Sequence, residues 1–390
     1  MDMKSIQESL RKPADKINMV DLTRQYQRDK AEFDQAMAGV IDSTAFINGP
    51  AVKQFCGNLE QYLGVEHVIP CANGTDALQI ALMALGLEQG DEVITVPFTF
   101  VATVEVIALL GYKPIFVDVD PETFNMDPAS IEAKITPRTK AIVPVHLYGQ
   151  SCDMDPIMEI AEKHGLKVVE DTAQATGAEY TGKDGKTVRA GTIGHIGTTS
   201  FYPTKNLGAW GDGGALFTRD AELAAKIRLI ANHGSNRKYY YDSIGVNSRL
   251  DGLQAAILDV KLARLDAYNE RRREAAAYYD RELSNTEGVT IPVRAAYARH
   301  VFHQYTIKVA DGRDDLRQSL SELGIPTMIY YPVPLHLSGA YRSYGYSEGD
   351  FPVSEDLSGK VLSLPMHSEL DNEQLHYITE AIRGLLHRQG

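Results

Sequence analysis

At 390 residues the chain exceeds the usual size of one domain, so two domains are expected. Hydrophobic residues make up 44% and charged residues 23%, the composition of a soluble globular protein. A net charge of −13 argues against nucleic acid or an anionic membrane surface as partner.

The N-terminal residues 1–16 are polar and charged, without an apolar leader core, and no stretch approaches the about 20 apolar residues of a membrane span. Three cysteines, Cys56, Cys71 and Cys152, are odd in number and lack CxxC spacing. They predict neither a disulfide framework nor a zinc site, and they fit a reducing, cytoplasmic setting. No metal is expected.

Further along, residues 92–97, 113–118, 141–145 and 167–170 are short apolar runs separated by helical patterns over 101–110 and 154–164. Near-continuous apolar strands alternating with helices predict an α/β fold with a mostly parallel central sheet, helices covering both faces. Residues 197–201 and 215–218 add strands. The tract 232–249 is polar and aromatic without periodicity and reads as a loop. Residues 251–283 read as one long helix. A smaller α+β unit follows, with a strand over 305–309, a helix over 315–323 and a terminal helix over 372–386. The expected division is a large domain over 1–250, then the linking helix and small C-terminal domain over 251–390.

Chemistry concentrates where these elements end. Lys205 lies in Ser200-Phe201-Tyr202-Pro203-Thr204-Lys205-Asn206-Leu207-Gly208, just before Gly211-Asp212-Gly213-Gly214. A lone lysine in an apolar run, followed by flexible backbone, suits a Schiff-base amine, since burial disfavours the ammonium and frees a nucleophile. Pyridoxal phosphate on that amine requires phosphate ligands and an acid facing its ring nitrogen. Asn73-Gly74-Thr75 opens a helix and offers N–H groups where the dipole favours an anion; it reads equally as an ordinary helix cap. Asp171 ends an apolar strand, the side on which ligands sit in open α/β sheets, and reads either as the ring-nitrogen partner or as a cap of the next helix. Gln174 is placed to meet the ring oxygen or solvent. Phe100 would stack on the ring or fill the core, and Ser200 would bind phosphate.

Taken in order, these segments resemble the DegT/StrS-type nucleotide-sugar aminotransferases, pyridoxal-phosphate enzymes of fold type I. The resemblance spans nearly the whole chain. It is carried by Phe46-Ile47-Asn48-Gly49-Pro50, Asn73-Gly74-Thr75-Asp76-Ala77-Leu78, Pro97-Phe98-Thr99-Phe100 and Val145-His146-Leu147-Tyr148-Gly149. Further markers are Glu170-Asp171-Thr172-Ala173-Gln174, Ser200-Phe201 with Lys205-Asn206-Leu207, Gly211-Asp212-Gly213-Gly214 and Gly245-Val246-Asn247-Ser248-Arg249. The resemblance implies that Lys205 bonds the cofactor and moves the proton, and that Asp171 pairs with the pyridine nitrogen. Gln174 would meet the ring hydroxyl, Phe100 would stack, and Gly74, Thr75 and Ser200 would hold the phosphate. Asn247 would reach the phosphate of a neighbouring subunit, implying a homodimer with shared sites.

Substrates implied by the resemblance are glutamate as amino donor and a nucleotide-linked keto sugar as acceptor, serving polysaccharide or glycoconjugate synthesis. Gly245-Val246-Asn247-Ser248-Arg249-Leu250-Asp251 looks most like the subset acting on UDP-linked 3-keto hexuronates. That subset carries a histidine before a tyrosine–proline pair, where this chain has Tyr330-Tyr331-Pro332. Arg249, Tyr330 and His336 are the candidate substrate contacts, Arg249 because its planar fork suits a carboxylate or phosphate. A 4-keto-6-deoxy sugar, and a non-catalytic regulatory protein of the same fold, are the alternatives. A sugar dehydratase of this fold would carry a histidine at position 205, so the lysine argues against it.

Overall fold

Seven strands make the central sheet of the computed structural model, which describes residues 10–387. In chain order the first nine strands, of which β6 and β7 lie outside this sheet, are β1 His67–Cys71, β2 Glu92–Thr95, β3 Lys113–Phe116, β4 Thr139–Ile142, β5 Lys167–Asp171, β6 Glu179–Thr181, β7 Thr187–Arg189, β8 Ile196–Ser200 and β9 Gly214–Thr218. The sheet order is β1-β9-β8-β5-β4-β2-β3. Pairings from β3 through β8 are parallel, whereas β9 runs antiparallel to both neighbours, β8 and β1. β2 and β9 are buried along their whole length, as expected for strands covered on both faces.

The reversal of β9 positions the site. Chain leaving the C-terminal end of β8 at Ser200 runs through residues 201–213 and re-enters the sheet at the same end, with Gly214 in register with both Ser200 and Cys71. Lys205 therefore rides a loop that folds over the strand ends. On one face the helix Gly74–Ala84 buries Ala77, Leu78, Ile80, Ala81, Leu82 and Ala84 over β5, β8 and β9. The helix starts at the end of β1, so its N-terminus points at the same end of the sheet. β1 is an edge strand, where Pro70 removes no interior ladder bond.

A second core gathers Ile17, Tyr279, Tyr305, Ile307, Leu362, Ile378 and Ile382 around a small antiparallel sheet. Its strands are β10 Val289–Thr290, β12 Tyr305–Val309 and β13 Val361–Leu364. Ile17 lies far upstream of the other members, so the N-terminal segment crosses into the C-terminal core. β11 Ala298–Arg299 pairs instead with the β6–β7 hairpin. The terminal helix Asn372–Leu386 starts with a reciprocal cap between Asp371 and Gln374 and carries eight buried residues.

The expected single helix over 251–283 is two helices, Gly252–Leu262 and Leu265–Leu283. No glycine or proline marks the break. Arg264, with φ −116° and ψ 0°, donates to Val260 O and pairs with Asp29 and Glu32, so contacts to the N-terminal helices override local helix propensity. Among the described residues no helix is long and apolar enough to cross a membrane.

Candidate active site

Strand ends bring the sequence candidates together. Asp171 closes β5 and Ser200 closes β8, neighbouring parallel strands. Asp171 is 6% exposed; its Oδ2 accepts from Thr103 Oγ1 at 2.8 Å and its Oδ1 from the Ala173 amide at 3.1 Å. Both bonds leave lone pairs free on a carboxylate, which offers about four acceptor positions. Thr103 comes from the helix Ala102–Leu109 and is a fixed hydroxyl partner that sequence reading missed.

Lys205 is partly buried beside this acid. Burial pulls its ammonium down to about 8, against the Asp171 charge, which favours the protonated form. A substantial neutral fraction is thus present near pH 7–8, the condition for a nucleophilic lysine. The loop holding it is fastened on both sides. Lys205 N–H donates to Tyr202 O at 2.8 Å, and Asn206 Nδ2 donates to Asn269 Oδ1 and Val301 O at 2.7 and 3.0 Å. Lys261, 1% exposed, donates to Gly208 O at 2.7 Å. His303 is buried within range of the Lys205 charge; burial first and that charge second hold it well below its usual value, so its ring is neutral.

Gly74 and Ser200 form the narrowest part of the site. A Cβ on Gly74 would sit 2.6 Å from Ser200 Cβ, so only glycine fits, and its amide stays open to an incoming group. Asn73 caps the helix through Oδ1, accepting from Asp76 N–H at 2.8 Å. The first N–H groups of a helix have no partner within it, so Gly74 and Thr75 present theirs to a ligand. A glycine that lets backbone approach, two leading amides, a nearby hydroxyl and a half-buried amine opposite an acid fit pyridoxal phosphate.

Gln174, 7% exposed, is already engaged: Oε1 accepts from Tyr148 N–H at 2.8 Å and Nε2 donates to Tyr331 OH at 3.0 Å. One Nε2 hydrogen stays available for a ring oxygen. Phe100 is 53% exposed at the mouth, its ring centroid 6.3 Å from that of Tyr331, which also meets Phe98 edge-on. Tyr331, quoted only as part of a motif at the sequence level, thus forms the wall between Gln174 and Phe100. Tyr330 is partly buried and its carbonyl accepts from Tyr148 OH.

Three candidates, Asn247, Arg249 and His336, lie outside this cluster. Asn247 is exposed and its side-chain oxygen is held by Arg249, whose guanidinium also reaches Asn232 Oδ1 at 3.4 Å. His336 is 1% exposed; its Nε2 is 3.0 Å from Glu355 Oε1, its ring packs edge-on to Phe351, and its buried Nδ1 has no hydrogen-bond partner.

Behind Asp171, Glu170 faces the opposite way and is fully buried. It accepts from the amides of Gly191, Ile193 and Gly194 at 2.5–2.8 Å and meets His146 Nε2 at 2.8 Å. Burial opposes its charge, but these bonds hold its carboxyl below the usual value. The carboxylate favours an imidazolium at His146, yet the Cys152 amide donates to Nδ1 at 3.0 Å and needs a lone pair there. That bond decides for a neutral ring with its proton on Nε2.

Solved structures share this architecture, and sequence relatives match nearly the whole chain. Streptomyces venezuelae DesV in complex with a ketimine intermediate superposes with a TM-score of 0.92 at 41% identity, covering 95% of this chain and 98% of DesV. A "pleiotropic regulatory protein" of Geobacillus stearothermophilus is 51% identical over 94% of this chain and 97% of its own length. The UDP-2-acetamido-2-deoxy-3-oxo-D-glucuronate aminotransferase of Pseudomonas aeruginosa is 45% identical over 94% of this chain and 99% of its own. The DegT/DnrJ/EryC1/StrS aminotransferase family model matches residues 27–383, and the chain belongs to that family of pyridoxal-phosphate enzymes.

Proposed function

We propose that this aminotransferase moves an amino group from glutamate to the keto carbon of a nucleotide-linked sugar, with a UDP-linked 3-keto hexuronate as acceptor. The observation that carries the reading is Lys205, half-buried, drawn down to about 8 and set against Asp171. When bound, pyridoxal phosphate supplies an aldehyde that condenses with amines and a ring that delocalises carbanion charge. Asp171, kept as an acceptor by Thr103 and Ala173, holds a proton at the ring nitrogen. Lys205 takes the proton from the reacting carbon and returns it, a task for which an amine titrating near operating pH is suited. Phe100 and Tyr331, whose ring centroids lie 6.3 Å apart, would flank the ring. Gly74, Thr75 and Ser200 anchor the phosphate away from the reacting carbon, so orientation is set by a group that does not react.

The acceptor assignment draws on the 45% identity to the 3-oxo-glucuronate enzyme and on Arg249, whose fork suits an anionic sugar. Two copies would share each site: Asn247 is exposed, and Tyr239, Tyr240, Tyr241 and Ile244 of the same 232–249 tract are 57–87% exposed. All three cysteines are free thiols, as befits an enzyme of the reducing cytoplasm.

A regulatory reading has the 51% relative in its favour. One assay separates the two. Protein is incubated with glutamate and a panel of nucleotide keto sugars, and products are read by mass. Amination of the 3-keto hexuronate is expected; amination of a 4-keto-6-deoxy sugar instead would replace the acceptor. No amination of any sugar, with no glutamate-dependent change in the cofactor's absorbance, would leave the regulatory reading.

A further inference from the structure

Ser248 lies between the two residues of the 247–249 segment that face outward, yet it is 2% exposed and points the other way. Its hydroxyl accepts from the Ala72 amide at 2.9 Å and donates to Asp76 Oδ2 at 2.6 Å. Ala72 and Asp76 bracket Gly74 and Thr75. We propose that Ser248 is the positioning residue of the phosphate cradle: it holds Asp76 aside so that the amides of Gly74 and Thr75 stay free for the cofactor's phosphate. This rests on the cofactor reading above.

The physical case starts from Asp76, third residue of the helix Gly74–Ala84. An acid at that position ordinarily reaches back toward the open N–H groups at the helix start and satisfies them itself. Such a carboxylate would compete for the phosphate's donors and repel its charge. Here the Asp76 backbone is fixed by Asn73, and its carboxylate is drawn sideways onto Ser248. The anchor is itself rigid. Ser248 N–H donates to Ala231 O at 3.1 Å and Val246 N–H to Ile230 O at 2.8 Å, lashing the segment to the helix Ala221–Ala231. At Gly245 a Cβ would lie 2.2 Å from Gly234 N and 2.5 Å from Ile230 O, so the close approach admits only glycine. With one donor and one acceptor bond made, the hydroxyl contacts no ligand; it acts through Asp76 and Ala72.

The test compares two ligands that differ only in the phosphate. Cofactor-free protein is titrated with pyridoxal phosphate and with pyridoxal, following the visible absorbance of bound ligand. Ser248→Ala is expected to weaken pyridoxal phosphate binding about 10- to 100-fold, the range of a charge-assisted hydrogen bond, and to leave pyridoxal unchanged. Ser248→Thr, which keeps the hydroxyl, should restore it, and Ser248→Ala combined with Asp76→Asn should recover most of the loss. Equal weakening for both ligands, or none for either, overturns the proposal. If Ser248→Ala does not fold, Asp76→Asn decides: affinity for pyridoxal phosphate equal to or above wild type supports it, and a loss overturns it. A wild-type protein that takes up neither ligand sinks the cofactor reading, and this proposal with it.

Discussion

The floor and the rim of the site are built differently. The floor, Gly74, Asp171, Gln174, Ser200 and Lys205, stands on strand ends, a helix start and the turns that leave β5 and β8, and its polar side chains are buried or engaged by named partners. The rim, residues 232–244 with Tyr330, is irregular, and Tyr239, Tyr241 and Ile244 stand 75, 67 and 87% exposed. Preset geometry on rigid elements serves chemistry, which demands fixed distances. An exposed, aromatic, charged rim serves recognition, which tolerates adjustment. Changes to the floor should therefore act on reaction or cofactor, and changes to the rim on acceptor affinity.

The harshest trial of that contrast is Lys205→Ala. It should lower transamination by about 10⁴-fold or more. The melting temperature of the cofactor-free protein should stay level or rise, because the variant removes a costly half-buried ammonium. Wild-type turnover in the variant would break the assignment. Next comes pH. Lys205 is protonated and inert below its value of about 8 and a free amine above it. The rate at which cofactor-free protein takes up pyridoxal phosphate should thus climb about tenfold per pH unit below 8 and level off above. A profile flat from pH 6 to 10 in stopped-flow absorbance would contradict the burial argument. The mildest is Tyr330→Phe on the rim. Loss of one hydroxyl should raise KM for the acceptor by about 3- to 10-fold, leaving the cofactor's spectrum and affinity unchanged. A changed spectrum would move Tyr330 from rim to floor.

How far the sequence reached follows the same divide. The helix over 154–164, the strand over 305–309 and the terminal helix over 372–386 sit where the sequence pattern placed them: the helices pair an amphipathic pattern with a stop or cap, and the strand is a short apolar run. The direction of β9 was illegible, since an apolar run does not encode polarity; the 201–213 turn decides it. The break at Arg264 comes from partners more than 200 residues away. Within the candidate site, Asp171 and the Gly74 turn stood out because each sits at a strand or helix end, and Lys205 because it is a lone lysine in an apolar run beyond β8. Thr103, Tyr331 and Ser248 were not, for a hydroxyl's role depends on what folding brings to it. The pairing of His336 with Glu355 was hidden for the same reason, since the two meet only in three dimensions.

The adjacent acids of β5 show how tightly that strand is keyed. Successive side chains on a strand leave from opposite faces. Asp171 therefore looks into the cleft, while Glu170 plugs three amides of the 191–194 turn. A slip by one residue would trade their places, stranding those amides without an acceptor and delivering to the cleft a carboxylate made for another lock. Two neighbouring charges of the same kind thus act as a parity check on how the strand is threaded.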